Sequence, residues 1–457
     1  MTFLAPDGLQ ITADLYAGAD PDAPVVLLFH QSASSRGEYR SVGPELARLG
    51  YHALAVDLRW GAHRNDVRNE TAARNGTDSI MAAVDAGTGT PWPTIDASYG
   101  DMTAALAWLD VRGLGGPRYA LGSSASAMLV YRLAEEGHVD GVLAYSPGEY
   151  DPARPDRVRT WAAASRVPIL TVAAPDEEEL VGPVAAAVGA PGSRYVVAGE
   201  GSHGASILDV GQANLGTLLS FLGHHTGGPP ARSVDTLTAP DGVAVMLDRY
   251  QGPDSRGVVA LFHQGGGSAR GEYGFLVAEL LGRGFDVLAA DLQGGGDRFG
   301  PPNRTLAGAP EPAGWSYCDA RPQLDAVVAH ARTVAAGRPV VLWGSSYSGA
   351  LVVRAAADGA PVSRVLAFSP ASGEPMEGCR PETVATRVAV PLLVVRPSGE
   401  LEIESVAAQF DVFQSAGHET RVVAGGSHGS SAVNPVRSAD VDDDLARILA
   451  FLDPVGR

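Results

Sequence analysis

The sequence predicts two consecutive domains of the α/β class, each a mostly parallel sheet with helices on both faces. Three observations lead to this prediction. Short runs of Val, Leu and Ile alternate with segments of helical periodicity. The short runs contain few polar residues, which is typical of strands that are buried on both faces. The whole series of runs and helical segments also occurs twice within the 457 residues.

Six short motifs carry this repeat and return in the same order. Leu28–Gln31 (Leu-Phe-His-Gln) returns at Leu261–Gln264, and Gly201–Gly204 (Gly-Ser-His-Gly) returns at Gly426–Gly429. Two unrelated domains would not keep six motifs in one order. The chain is therefore expected to contain two copies of one domain.

The boundary between the copies is expected near a stretch rich in Gly and Pro, His224–Pro230, which is typical of a linker. We place copy one at residues 1–226 and copy two at residues 227–457. The strands predicted in copy one are Val25–Phe29, Ala53–Val56, Tyr119–Leu121, Val142–Tyr145, Ile169–Ala173 and Tyr195–Val197. The helices include Pro44–Leu49, Met102–Leu109 and Ala127–Glu136.

The composition excludes several classes of function. The net charge is −18, which disfavours nucleic acid and anionic membranes as partners. All 34 basic residues are arginine, so the chain has no lysine for Schiff-base chemistry. No apolar run reaches the length of a membrane span, and the N-terminus resembles no secretory signal. We expect a cytoplasmic protein.

The two cysteines, Cys318 and Cys379, do not have the spacing of metal ligands. The favoured interpretation is two free thiols. The alternative is a disulfide formed in an oxidising compartment.

A serine-containing turn is the strongest catalytic signal. In copy two, Gly344–Ser348 (Gly-Ser-Ser-Tyr-Ser) follows an apolar run and precedes a helical segment. A sharp turn between a strand and a helix exposes a nucleophilic serine, and small residues on either side allow close chain approach. Copy one has the same pattern around Ser124, so Ser124 and Ser346 are the predicted nucleophiles. The alternative is an ordinary helix N-cap.

A serine needs a general base to become a strong nucleophile. The candidate bases are His203 and His428, each in a Gly-Ser-His-Gly segment after the last predicted strand of its copy. The alternative is a histidine in a surface loop.

The base in turn needs an acid that fixes its tautomer. Acidic residues follow the strand that begins after Pro168, and others follow the matching strand after Pro391. Aligning these prolines pairs Glu177 with Glu400 and leaves Asp176 opposite a glycine. We predict Glu177 and Glu400 as the acids, with Asp176 as second choice in copy one. A solvated acidic loop is the alternative interpretation.

Both copies resemble the α/β-hydrolase superfamily, and among its members the small dienelactone-hydrolase-like esterases. The resemblance rests on the strand followed by His-Gln, the Gly-x-Ser-x-Ser turn and the order Ser, acid, His. It implies an oxyanion hole of two backbone N–H groups in each copy, and no metal or organic cofactor. The implied donors are Gln31 and Ala125 in copy one, and Gln264 and Tyr347 in copy two. Dienelactone hydrolases usually carry cysteine at the turn, whereas this chain has serine in both copies.

Four further polar residues recur at matched positions and are candidates for substrate binding: Tyr39, Arg64, Tyr273 and Arg298. An arginine at the mouth of a cleft binds a carboxylate bidentately. An ordinary structural salt bridge is the alternative for either arginine. No segment long enough for a large lid follows Ser146 or Ser369, which predicts open clefts and a small or medium-sized substrate.

These features predict a serine hydrolase that cleaves small carboxylic esters through an acyl-enzyme in both copies. Thioesterase, lactonase, peptidase and acyltransferase activities fit the same residues, because a fold does not fix a substrate. A second alternative is that one copy is a non-catalytic partner in an internal pseudo-dimer. A third is a binding protein without turnover.

Overall fold

The computed structural model describes residues 1–77, 91–210, 212–424, 426–438 and 440–455. It forms two compact units, Met1–Leu218 and Leu219–Arg457. The division lies within the helix Gln212–Thr226. This helix continues through His224 and His225, so the predicted linker starts no earlier than Gly227 and that part of the linker prediction is wrong.

The first unit is built on a sheet of eight strands with the order β1-β2-β4-β3-β5-β6-β7-β8. The hairpin strands β1 and β2 pair antiparallel, β2 pairs antiparallel with β4, and the remaining pairs are parallel. The strands are β1 Thr2–Leu4, β2 Gln10–Tyr16, β3 Val25–Phe29, β4 His52–Asp57, β5 Arg118–Ser123, β6 Gly141–Tyr145, β7 Ile169–Ala173 and β8 Arg194–Val197.

The helices of copy one lie between these strands, as the alternating pattern predicts. Its α-helices are Val42–Arg48, Glu70–Asn75, Trp92–Ala97, Tyr99–Val111, Ala125–Glu135, Arg157–Ala164, Glu178–Ala187 and Gln212–Thr226. Short 3₁₀ helices span Arg36–Tyr39 and Gly204–Asp209, and a small separate hairpin pairs His63–Arg64 with Val67–Arg68.

The second unit repeats the same sheet in the order β9-β10-β12-β11-β13-β14-β15-β16. Its strands are β9 Ser233–Thr238, β10 Ala244–Tyr250, β11 Gly257–Phe262, β12 Phe285–Ala290, β13 Val340–Ser345, β14 Arg364–Phe368, β15 Leu392–Pro397 and β16 Glu419–Val423. Its α-helices are Ala269–Gly282, Arg304–Gly308, Arg321–Ala335, Tyr347–Ala357, Glu404–Ser415 and Asp442–Ala450. The 3₁₀ helices are Tyr317–Ala320, Glu374–Met376, Pro381–Arg387, Ser398–Glu402 and Gly429–Val433.

The central strands explain why the apolar runs of the sequence predict the sheet. Every residue of β3, β4, β6 and β7 is buried, as helices on both faces of a parallel sheet require. The segments between Ser146 and Pro168 and between Ser369 and Pro391 contain only short helices, so the prediction of no large lid is confirmed. Among the described residues, no helix is long and apolar enough to cross a membrane.

The two cysteines are joined. Cys318 and Cys379 form a disulfide across a sequence separation of 61 residues, so the prediction of free thiols is wrong. Cys318 lies in the 3₁₀ helix Tyr317–Ala320 and Cys379 in the loop after Glu374–Met376, and no local spacing in the sequence reveals that the fold brings them together. Disulfides persist mainly in oxidising compartments. The cytoplasmic location stays a prediction without structural support.

Replacing both cysteines by serine is expected to destabilise copy two by about 4 kcal/mol, because the cross-link removes entropy from the unfolded chain and the closed loop is long. Calorimetric unfolding of the protein with and without reductant measures this. Copy one contains no cysteine and is the internal control. An unchanged unfolding transition in the doubly substituted protein would contradict the expectation.

Candidate active site

The predicted serine turn of copy one connects the end of β5 to the helix Ala125–Glu135. Ser124 has φ 55° and ψ −114°, a backbone conformation that L-residues rarely adopt and that is found at functional turns. Its N–H donates to the carbonyl of Tyr145 at the end of β6, at 2.9 Å. A Cβ at Gly122 would lie 2.6 Å from Cα of Ala127, so glycine is required there. The turn presents Ser124 at the carboxyl edge of the sheet.

Nucleophile turns of this kind commonly have the sequence Gly-x-Ser-x-Gly, whereas this chain has serine at the last position in both copies. The structure shows what this serine does. Ser126 Oγ accepts from the N–H of Ser123 at 2.8 Å and donates to the carbonyl of Phe29 at 2.7 Å. The hydroxyl thereby ties the turn to β3. Ser348 does the same in copy two, with the N–H of Ser345 at 2.9 Å and the carbonyl of Phe262 at 2.7 Å. The second serine is therefore part of the turn in both copies.

The three predicted catalytic side chains of copy one are assembled. His203 Nε2 lies 2.6 Å from Ser124 Oγ, and His203 Nδ1 is hydrogen-bonded to Glu177 Oε1. Glu177 lies directly before the helix Glu178–Ala187, and His203 directly before the 3₁₀ helix Gly204–Asp209. With Nδ1–H donating to the carboxylate, Nε2 is the free base that faces the serine. Asp176 is exposed and has no bond to His203.

A serine that the sequence motifs did not include holds the acid. Ser146, at the end of β6, donates from Oγ to Glu177 Oε2 at 2.5 Å and accepts from the N–H of Gly204 at 2.8 Å. Burial acts to raise the pKa of Glu177, but the hydrogen bonds from Ser146 and His203 outweigh it and the pKa is lowered. The acid is therefore ionised at neutral pH, as a partner for an imidazolium must be.

Copy two contains the same three kinds of side chain, but their hydrogen bonds differ from those of copy one. Ser346 has φ 59° and ψ −119°, and His428 Nδ1 lies 2.6 Å from Glu400 Oε1. Ser369 matches Ser146, donating to Glu400 Oε1 at 2.9 Å and accepting from the N–H of Gly429 at 3.1 Å. Within the described part of the chain, however, His428 makes no hydrogen bond to Ser346. The acid–base pair is formed, but the base is not hydrogen-bonded to the nucleophile.

A family model matches part of copy two. Residues 253–409 match the model described as serine aminopeptidase, S33. Both copies place a strained serine turn after the fifth strand of the sheet, then the acid, and a histidine after the last strand. Copy one therefore repeats the sheet order and the three site residues of the copy that the family model matches.

Solved structures similar to one hydrolase domain cover about half of this chain. A carboxyl esterase of Bacillus coagulans is 15% identical, with a TM-score of 0.40, over 50% of this chain and 99% of its own. A Klebsiella pneumoniae protein named as a dienelactone hydrolase is 16% identical, with a TM-score of 0.39, over 48% and 98%. An acylaminoacyl peptidase of Pyrococcus horikoshii is 13% identical, with a TM-score of 0.38, over 49% of this chain and only 41% of its own length. The search of curated proteins found no match.

The predicted oxyanion donors after the first parallel strand are wrong. The N–H of Gln31 donates to Glu38 Oε2 at 2.9 Å, and the N–H of Gln264 donates to Glu272 Oε2 at 2.6 Å. A donor that is held by a buried carboxylate is not available to an oxyanion. Burial raises the pKa of both Glu38 and Glu272. These two acids therefore anchor the loop behind the site.

The next residue in each loop is the better candidate. The backbone N–H groups of Ser32 and Gly265 have no hydrogen-bond partner among the described residues, and neither do those of Ala125 and Tyr347 at the start of the helices. Gly265 packs against Tyr317, which stacks on Tyr347 with ring centroids 4.6 Å apart. Gly265 and Tyr347 thus both contact the side chain of Tyr317 in copy two.

The two tyrosines predicted to bind substrate do not line a cleft. Tyr39 and Tyr273 are fully buried. Their hydroxyls donate to the carbonyls of Phe29 at 2.6 Å and Phe262 at 2.7 Å, at the ends of β3 and β11. The tyrosines are part of the core and support the strand ends. The sequence pattern did not separate this role from substrate binding, because both roles place a polar residue just after a strand.

The two candidate arginines lie beside these loops in different surroundings. Arg64 faces Asp209 at 3.8 Å, so its charge is partly balanced. Arg298 donates its N–H to Gly266 in the loop after Gln264 and is exposed, with its guanidinium 5.6 Å from the ring centroid of Phe299. Arg437 lies 3.9 Å from the same centroid and has no carboxylate within ion-pair distance in the described chain. Arg298 and Arg437 thus place two cations around Phe299 in copy two.

The histidines that follow β3 and β11, His30 and His263, shape the loop after each strand. His30 Nδ1 donates to the carbonyl of Gln31 at 2.8 Å, and its Nε2 accepts from the N–H of Leu58 at 3.0 Å. Burial lowers the pKa of His30 to about 4, so the ring is neutral at neutral pH. His263 makes the same two bonds, to Gln264 and Leu292.

Sequence reasoning missed the serines and acids that hold the site together. Ser123 Oγ donates to Glu38 Oε1 at 2.7 Å and accepts from the N–H of Ala205 at 2.7 Å. This residue joins the first loop, the nucleophile strand and the histidine loop. A signal for these residues was present. The pair Ser-Pro follows β6 in copy one and the matching strand β14 in copy two. The motif Arg-Gly-Glu-Tyr, which contains Glu38 and Glu272, also recurs.

Proposed function

We propose that the protein is a serine hydrolase of carboxylic esters and that Ser124 is its principal nucleophile. His203 takes the proton of Ser124 as the hydroxyl attacks the ester carbonyl. Glu177 stabilises the imidazolium that forms, and the N–H groups of Ser32 and Ala125 stabilise the oxyanion. His203 then protonates the leaving alcohol, and water attacks the acyl-enzyme with His203 as base. The contact of 2.6 Å between His203 Nε2 and Ser124 Oγ carries the proposal.

A small or medium-sized ester fits the site best. The segments after Ser146 and Ser369 are short and form no lid domain. Tyr150 lies beside the triad, with its ring centroid 6.3 Å from that of His203 and its hydroxyl donating to the carbonyl of Ser146 at 2.6 Å. The tyrosine offers an apolar face next to the reacting carbonyl. Copy two has Gly373 at the matched position.

Aminopeptidase activity is the second candidate, because the family model that matches residues 253–409 carries that description. A free amino terminus is a cation and needs an acidic or neutral subsite. Copy two instead carries the cations Arg298 and Arg437 around Phe299. Burial, opposed by Glu272 and reinforced by Arg298, lowers the pKa of Arg437 to about 10, which still leaves it charged at neutral pH. This charge favours esters over aminoacyl amides.

A substrate panel tests the choice. We expect p-nitrophenyl esters of short acids to be hydrolysed with a kcat/KM at least about tenfold above those of thioesters, lactones and aminoacyl p-nitroanilides, because no lid domain covers the site and Tyr150 offers an apolar face beside the triad of Ser124. The Ser124→Ala, Ser346→Ala double variant is the control for non-enzymatic turnover. Preferred cleavage of the aminoacyl amides would establish the peptidase instead.

A further inference from the structure

The two catalytic carboxylates differ in one neighbour. In copy one, Glu177 Oε2 accepts from the hydroxyl of Ser146 and from the N–H of Ala174 at 3.3 Å. In copy two, Glu400 Oε2 instead forms an ion pair with Arg396 Nη1 at 2.5 Å. The residue of copy one that matches Arg396 is Ala173, at the end of β7. Only the second acid therefore shares its charge with a cation.

Arg396 is fixed in this position. Its side chain is 4% exposed, and its Nη2 donates to the carbonyl of Pro370 at 2.7 Å and to Gln409 Oε1. Gln409 is itself held by Glu382, to which it donates at 3.0 Å. A buried guanidinium with this many partners does not rotate away from Glu400. The ion pair is therefore a permanent part of the second site.

This ion pair opposes the function of a triad acid. The acid accelerates acyl transfer because its negative charge stabilises the imidazolium that forms as the serine loses its proton. A cation on the other oxygen of the same carboxylate offsets that charge at His428. The two centres also differ at the nucleophile, since His203 is hydrogen-bonded to Ser124 while no hydrogen bond joins His428 to Ser346 in the described chain.

We propose that Arg396 is a positioning residue that restrains the second centre by offsetting the charge that the Glu400 carboxylate presents to His428. The tandem protein then contains one fast centre at Ser124 and one slow centre at Ser346. The inference rests on the proposed serine hydrolase function.

Labelling of both serines by one fluorophosphonate in one sample tests the restraint. Peptide mapping at successive times gives a separate rate for Ser124 and for Ser346 in the full-length protein. We expect Ser346 to react about tenfold more slowly than Ser124, since one unit charge near the imidazolium changes the barrier by about that factor. Arg396→Gln, which removes the charge and keeps a hydrogen-bond donor, should raise the Ser346 rate about tenfold.

Two controls separate charge from structure. Arg396→Lys keeps the cation and should leave Ser346 slow, whereas a merely structural role would make Lys and Gln equally harmful. The Ser124 rate should be the same in every Arg396 variant. If Arg396→Gln fails to fold, Arg396→Met, which fills the same space, replaces it.

The outcomes are distinguishable. An unchanged or lower Ser346 rate in folded Arg396→Gln, with Ser124 still labelled, overturns the restraint and leaves the proposed function intact. Labelling of neither serine in wild type or any variant overturns the proposed function and the restraint together. Faster labelling of Ser346 in Arg396→Gln than in Arg396→Lys supports both.

Discussion

Ser124→Ala is expected to remove most of the ester hydrolysis of the protein, leaving about one-tenth or less of the wild-type rate. The substitution abolishes the nucleophile of the assembled triad, which lowers turnover at that centre by at least about 10³-fold. What remains is the contribution of the slower centre at Ser346. Steady-state kinetics with a p-nitrophenyl ester under saturating substrate measures the remainder.

Ser346→Ala is the matched control, because it makes the same change on the same strained turn of copy two. This variant should keep at least about nine-tenths of the activity, since Ser124 is untouched. Full activity in Ser124→Ala combined with loss in Ser346→Ala would reverse the assignment of the two centres.

Glu177→Gln is expected to lower turnover at the first centre by about 10⁴-fold. The amide keeps the size of the side chain but has no charge to stabilise the imidazolium of His203. It also permits the tautomer in which His203 presents N–H, not a lone pair, to Ser124. The measurement is steady-state kinetics in the Ser346→Ala background. A lower kcat with little change in KM would show that Glu177 stabilises the transition state.

Asp176→Asn is the control for this variant. Asp176 is exposed and precedes Glu177 in the sequence, but the hydrogen bond of His203 Nδ1 is to Glu177. The substitution should leave kcat within about twofold, because a surface charge far from the reacting atoms is screened. A large loss in Asp176→Asn with an active Glu177→Gln would make Asp176 the acid.

Much of this architecture was predictable because the information is local. A strand buried on both faces has to be apolar throughout, and the run Val25–Phe29 has the same bounds in the sequence pattern and in the structure. The serine turn needs small residues on both sides, so Gly122 and Ser126 made it visible. Recurrence supplied the rest, since aligning the two copies singled out Glu177 over Asp176.

What was not predictable depends on contacts between distant segments. Gln31 looked like an oxyanion donor until the fold brought Glu38 onto its N–H. Arg396 ends an apolar strand and carries no sign in the sequence that its partner is Glu400. Strand β1 was missed because it has three residues, and its neighbour β2 because it is only partly apolar and partly buried.

Buried ion pairs illustrate the same limit. In copy one, Arg36 pairs with Asp14 and Asp57 from the segment that follows β3. In copy two, the matching acids, Asp248 and Asp291, are paired with Arg304 from a different segment. The arginine that matches Arg36 is Arg270, which lies 3.8 Å from Asp248, whereas Arg304 stands where copy one has Glu70. Alignment of the copies therefore finds the acids and Arg270 but does not predict that Arg304 pairs with Asp291.

Fluorophosphonate labelling of the full-length protein, followed by mass-spectrometric mapping of the modified peptides, tests the central claim most directly. The assembled triad predicts rapid covalent modification of Ser124, abolished by His203→Ala, with slower modification of Ser346. A folded protein in which Ser124 stays unmodified under conditions that label a control serine esterase would contradict it.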